Sequence, residues 1–122
     1  MLAKVAFTMY PVTDPKRARA FYEETLGLKV GSHASNGDWT EYDLPGGGCF
    51  ALFKTTDIQP SASAGGSVAF EVADLDALVA KLDAAGVVIK QKLIHSPVCR
   101  MSIILDTEGN AILLHELKKK PA

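Results

Sequence analysis

Four groups of residues carry chemistry by type and spacing. Trp39 and Glu41 stand two apart in Trp39-Thr40-Glu41-Tyr42-Asp43. In a strand that spacing puts both side chains on one face. An aromatic ring beside an acid suits a cationic or polar aromatic ligand, and a solvated strand face would use the same residues. His115 and Glu71 form the second group. A histidine near a carboxylate in a concave site acts as a general base, though each residue stands near a strand end, where facing water is the commoner role. The third group is His95, Ser96, Pro97, Cys99 and Arg100 around one loop. Cys99 near His95 invites a nucleophile reading, but three of the five residues are turn material and no third orienting group is evident. Arg100 suits a carboxylate or phosphate, with exposed surface as its ordinary use. The fourth group, Gly46-Gly47-Gly48, is a turn and not a phosphate loop, since no Lys-Ser or Lys-Thr follows and a strand comes next.

The elements that must position these groups are legible from periodicity. Lys4–Val12 is apolar and rich in strand formers. Asp14-Pro15 then starts a helix, with aspartate as the cap and proline at the first turn. Ala18, Phe21, Tyr22 and Leu26 recur at helical spacing, and Gly27 ends the run. Strands are expected at Leu28–His33, Trp39–Leu44 and Cys49–Lys54, with Asn36-Gly37 as a hairpin turn. Thr55–Gly66, with Pro60, two serines and two closing glycines, reads as a linker. The pattern then restarts. Val68–Val72 is a strand, and Asp74 caps a helix carrying Leu75, Leu78, Val79 and Leu82 that ends at Gly86. Strands follow at Val87–Ile94, Val98–Leu105 and Ala111–Leu117.

The chain is therefore two copies of strand–helix–strand–strand–strand. Val12-Thr13-Asp14 matches Val72-Ala73-Asp74 at an offset of 60, and the helix-ending glycines, 27 and 86, lie 59 apart. Two copies are too few for a solenoid and suit a pseudo-symmetric pair of sheets.

Composition bounds the function. The 122 residues are 48% hydrophobic and 22% charged, an ordinary globular balance that excludes a disordered chain. A chain this long buries about two-thirds of its unfolded surface, so it needs no staple. The net charge of −1 gives nothing to attract a polyanion, so nucleic acid is not an expected partner. Lys118-Lys119-Lys120 reads as a solvated tail. No apolar stretch approaches the ~20 residues that cross a bilayer, and the N-terminus lacks the parts of a signal peptide. A cytoplasmic protein with no membrane partner is expected. Its two cysteines, Cys49 and Cys99, are then reduced and show no zinc spacing.

The run Val12-Thr13-Asp14-Pro15, with Phe21-Tyr22 and Leu26-Gly27-Leu28, resembles the opening signature of the vicinal oxygen chelate superfamily. That superfamily holds glyoxalase I, bleomycin and fosfomycin resistance proteins, and extradiol dioxygenases. Val68-Ala69-Phe70-Glu71-Val72, Ala85-Gly86 and Leu105-Asp106-Thr107-Glu108-Gly109-Asn110 agree in the second half, so the resemblance covers nearly the whole chain. It implies an α+β fold of two tandem βαβββ modules forming a cup-shaped mixed sheet. The chain is then a single domain, with module one at 1–55, a linker at 56–66, module two at 67–117 and a tail at 118–122.

The resemblance also implies a divalent metal in the cup, held by His, Gln or Glu on the first and last strand of each module. Those slots fall here at Phe7, Ser67, Leu113 and either Ala51 or Leu52. Phenylalanine, alanine and leucine donate no lone pair, and serine is a poor ligand for zinc or nickel. No metal and no cofactor are expected. The pattern resembles the metal-free branch exemplified by bleomycin resistance proteins, in which the cup binds a small molecule and is often completed across a dimer. Strand alternation puts Met9 on the face of Phe7, Ala69 and Glu71 on that of Ser67, and Ala111 and His115 on that of Leu113; the expected ligand contacts are Phe7, Met9, Ser67, Glu71, Leu113 and His115. Trp39, Glu41 and Arg100 join them. Apolar members of this set would serve a core equally well.

The expected function is metal-independent small-molecule binding by a homodimer. The alternative is a glyoxalase-type lyase or isomerase, with an altered metal site using Glu41, Glu71 and His115, or with metal-free acid–base chemistry through His115. A regulatory or structural module would instead have a cup filled by side chains.

Overall fold

A computed structural model describes Met1 and residues 3–118 of the chain. Its elements run β1 (Thr8–Val12), α1 (Pro15–Ala20), β2 (Val30–His33), β3 (Trp39–Asp43), β4 (Cys49–Lys54), β5 (Val68–Glu71), α2 (Leu75–Ala84), β6 (Ile89–His95), β7 (Cys99–Leu105) and β8 (Ala111–Leu117). This is α+β, two tandem βαβββ modules. The chain divides into two compact units at Pro60–Ser61. No described helix is long and apolar enough to cross a membrane.

The first unit holds a four-stranded sheet in the order β1-β4-β3-β2. β1 pairs parallel with β4, and β4 pairs antiparallel with β3. Asp14 caps α1 by accepting the Arg17 N–H at 3.1 Å, and Pro15 takes the first turn. The helix widens into a π turn over Phe21–Thr25, where Leu26 N–H reaches Phe21 C=O at 3.0 Å. Its buried Phe21 and Tyr22 pack on the sheet face built by Tyr10, Val12, Thr40, Tyr42, Phe50 and Leu52. Tyr22 lies 5.1 Å from Phe50 and 6.3 Å from Tyr42, ring to ring. Such aromatic contacts stabilise beyond their buried area.

The second unit repeats the plan as β5-β8-β7-β6. Asp74 caps α2 by accepting the Ala77 N–H at 3.1 Å. Leu75, Val79 and Leu82 bury themselves against Ile104, Ile112 and Leu114. Before β8, Asp106 takes the Glu108 and Asn110 N–H groups on one oxygen, at 2.8 Å each, and the Asn110 amide on the other. Asn110 in turn accepts the Ser61 N–H, which ties the start of this unit to the turn.

Both helices end at glycines with positive φ, +77° at Gly27 and +80° at Gly86. A side chain there would be strained, which explains the paired glycines in the sequence. Three strands start two or more residues later than periodicity suggests. β1 begins at Thr8, not Lys4; its register, with Thr8 opposite Phe50, leaves residues 4–6 beyond the first residue of β4. Leu28 gives its N–H to Tyr22 C=O and Val87 to Leu82 C=O. Both residues close helices, so β2 and β6 start two residues further on. The tail expected at 118–122 lies, beyond Lys118, outside the described residues.

Candidate functional site

Each sheet has one face against its helix and one face turned away. Cross-strand register assigns every side chain to one or the other.

On the first sheet, Glu41 pairs with Ala51, Trp39 with Phe53, Asp43 with Cys49, and Met9 with Ala51. These residues form the face turned away from α1. Trp39 and Glu41 share it, as their spacing requires. Trp39 Nε1–H donates to Glu41 Oε2 at 2.7 Å, and the Cys49 thiol donates to Glu41 Oε1 at 3.6 Å. Phe7 lies just before β1, 46% exposed, with its ring 5.3 Å from Trp39 at 86°. Phe53 flanks Trp39 on the neighbouring strand at 5.5 Å and 62°. Met9 is half-buried and Ala51 fully buried. Burial, the bond to Glu41, and the charges of Glu41 and Asp43 together push the Cys49 thiol above its ordinary range. Gly31 lets the Asp43 carboxylate lie across β2, since a Cβ there would meet Asp43 Oδ2 at 2.5 Å.

On the second sheet, Glu71 pairs with His115, Ala69 with Leu113, Met101 with His115 and Ile103 with Leu113. These form the face turned away from α2. His115 Nδ1 lies 2.5 Å from Glu71 Oε1, and Glu71 Oε2 accepts the Leu117 N–H at 3.1 Å. The carboxylate therefore fixes the imidazole orientation through Nδ1, and Nε2 is the ring nitrogen outside that contact. Ser67 is exposed and lies just before β5.

Arg100 lies elsewhere. It sits on the α2 side of the second sheet, 2.9 Å from Glu116 Oε1 and 3.0 Å from Asp76 Oδ2. Glu116 also accepts the Leu75 N–H at the start of α2. Two carboxylates, Asp76 and then Glu116, hold the guanidinium pKa above its usual value. Arg100 thus clamps helix to sheet and does not join His115 and Leu113. Cys99 is buried, and its Sγ lies 3.0 Å from Ser96 Oγ within the loop.

Sequence reasoning missed Cys49, Phe53, Met101 and Ile103 as members of these faces. Alternation counted outward from Ala51 would have found Cys49 and Phe53, whereas Met101 and Ile103 are placed only by the register of β7 on β8.

The metal slots resolve cleanly. Met9 faces Ala51 in β1–β4, and Ala69 faces Leu113 in β5–β8. Met9 and Ala69 lie 60 residues apart, the motif offset, so Ala51 and not Leu52 is the counterpart of Leu113. The positions that the resemblance assigns to metal ligands are then Phe7 and Ala51 in the first unit and Ser67 and Leu113 in the second. Neither pair fits a divalent metal, because Phe7, Ala51 and Leu113 lack a lone pair and Ser67 offers only a weak hydroxyl. Among the described residues no cluster of three His, Cys, Asp or Glu side chains is arranged for a metal.

Solved structures share this fold over nearly their whole length. TnmS3, an antibiotic binding protein from Streptomyces sp. CB03234, is 26% identical with a TM-score of 0.80, covering 96% of this chain and 98% of its own. A glyoxalase/dioxygenase from Nostoc punctiforme is 21% identical with a TM-score of 0.74, over 98% and 97% of the two chains. A lactoylglutathione lyase from Agrobacterium tumefaciens is 19% identical with a TM-score of 0.74, over 94% of each. Among curated proteins none matches the sequence. The model of the Glyoxalase/Bleomycin resistance protein/Dioxygenase superfamily matches residues 4–114, and the chain belongs to that superfamily.

Proposed function

We propose that the chain is a metal-independent small-molecule-binding protein that takes its ligand on the sheet faces turned away from the helices. The donor-poor set Phe7, Ala51, Ser67 and Leu113 carries this reading. The likeness to TnmS3, an antibiotic binding protein, supports it. Apolar walls with a few fixed polar groups are what small-ligand sites use. Here the fixed groups are Glu41, braced by Trp39 and Cys49, and His115, braced by Glu71. A second copy of the chain completes the site in this reading, as a homodimer.

The test is metal analysis of the purified protein beside a thermal-shift titration with zinc, nickel, cobalt and manganese. A ligand that binds only the native state raises Tm by mass action. No stoichiometric metal and no shift are expected. One metal per chain with a clear shift would overturn the proposal. Light scattering checks the dimer, and a monomer at working concentration rejects that part.

The His115–Glu71 contact favours one second reading, a metal-free enzyme. Glu71 orients the ring, and Nε2 takes a proton from a carbon acid. Turnover of the methylglyoxal–glutathione hemithioacetal, lost in His115→Ala with the fold intact, would support it. No turnover by the unaltered protein would reject it.

A further inference from the structure

Glu41 is an unusual carboxylate. It is half-buried, it accepts two hydrogen bonds from uncharged donors, Trp39 and Cys49, and among the described residues no basic side chain pairs with it. Partly buried carboxylates ordinarily take a cationic partner, as Glu116 does with Arg100 and Glu23 with Arg19 in this same protein.

The surroundings are aromatic. Trp39 meets Phe7 at 86° and Phe53 at 62°, with centroids 5.3 and 5.5 Å away. Phe7 stands nearly at right angles to Trp39 and Phe53 is steeply tilted, so the rings meet as a corner and not as a flat stack. Ala51 lies opposite Glu41 and is fully covered by its neighbours, so the small side chain lets the rings and carboxylate close over it. Ring faces are electron-rich and attract cations, and Trp39 and Phe53 remain half-buried, with Phe7 partly open. The Trp39 N–H fixes the carboxylate, so the negative charge is held against the rings rather than swinging into water.

We propose that Trp39, Phe7, Phe53 and Glu41 form a binding corner for the ammonium group of a small organic cation, either quaternary or a protonated amine. This deepens the small-molecule-binding reading and rests on it. Three features select the ligand chemistry. The rings stabilise a bulky cation without demanding directed hydrogen bonds. The carboxylate supplies the countercharge. The absence of a local Lys or Arg partner leaves that charge for the ligand. A neutral ligand of the same shape gains only the apolar contact.

The protein reports on this corner directly, because Trp39 is its single tryptophan. Tryptophan fluorescence is titrated with choline and, in parallel, with 3,3-dimethylbutan-1-ol, its uncharged isostere. A saturable change with choline, about tenfold tighter than with the alcohol, is expected from the combined ring and carboxylate attraction. Glu41→Gln should bring the two affinities together while circular dichroism stays native. Phe7→Ala, outside the strands, gives a second variant with little risk to the fold and should weaken choline several-fold. Equal affinity for the two probes overturns the cation assignment while leaving small-molecule binding standing. Silence with choline overturns the cation assignment as well. Metal occupancy in the separate test would instead sink the underlying reading, so the two failures are distinguishable.

Discussion

The two sheets are built on one plan, yet the faces turned away from their helices carry different chemistry. The first offers three aromatic rings around a braced carboxylate and a thiol. The second offers an aliphatic surface of Leu113, Ile103 and Ala69, ending in a carboxylate-oriented histidine. The helix faces show a milder divergence. The first unit packs Tyr10, Tyr22, Tyr42 and Phe50, whereas the second uses Leu75, Leu82, Ile104, Ile112 and Leu114. Duplicated backbones keep their register because a one-residue slip would turn every core residue outward. Nothing in that register constrains what the other face carries, so a binding surface diverges freely there.

The largest expected effect tests whether the two cores are equivalent despite their different residues. Phe50 and Ile112 occupy matching places in β4 and β8, and both are buried. Phe50→Ala is expected to cost about 3–5 kcal/mol and Ile112→Ala about 2–5 kcal/mol, with cavity relaxation setting the spread. Chemical denaturation of each variant checks this. A loss below about 1 kcal/mol for either would mean that its unit does not pack as described.

A smaller effect sharpens a difference between the units. Glu116 binds Arg100 and the Leu75 N–H, whereas the matching position in β4 is Lys54, exposed at the strand end. Glu116→Ala is expected to cost about 1–3 kcal/mol, since it strips a partner from a half-buried guanidinium and from a helix N–H. Lys54→Ala should stay within about 0.5 kcal/mol. Similar losses at both positions would erase the asymmetry.

These contrasts also explain what was legible in the sequence. The helix caps, Asp14 and Asp74, and the closing glycines are local chemistry, so their positions follow from residue type alone. Trp39 and Glu41 share a face by counting along one strand. The ion pairs of Arg100 were not legible because its partners, Asp76 and Glu116, lie 24 and 16 residues away, and no local rule connects them. Glu71 and His115, 44 residues apart, were pairable only because the duplication fixes which strands run side by side. Cys49 escaped notice because its environment comes from Glu41 and Asp43 on the neighbouring strand. The starts of β2 and β6 differ for another reason: a helix terminus claims backbone N–H groups that strand propensity alone would assign to a sheet.

Cys49 gives the smallest effect and the finest probe of the first sheet. Burial, Glu41 and Asp43 all disfavour the thiolate, so the thiol pKa lies above its ordinary range. The native state then holds this proton more tightly than the unfolded chain, where the pKa is about 8.5. Its contribution to stability is complete below that value and is lost as pH rises through the native pKa. Alkylation by iodoacetamide requires the thiolate, so the pH–rate profile of Cys49 should sit to the alkaline side of a free cysteine. Buried Cys99 should react far more slowly in the native protein. Glu41→Gln removes the nearer negative charge, and the midpoint should move down toward the ordinary value. Asp43→Asn should move it less, because the carboxylate in direct contact with the thiol remains. The order of those two shifts measures how much of the first sheet's negative field originates at Glu41. Equal shifts would divide the field evenly between the two carboxylates, and a reversed order would place the dominant charge at Asp43, at the strand end.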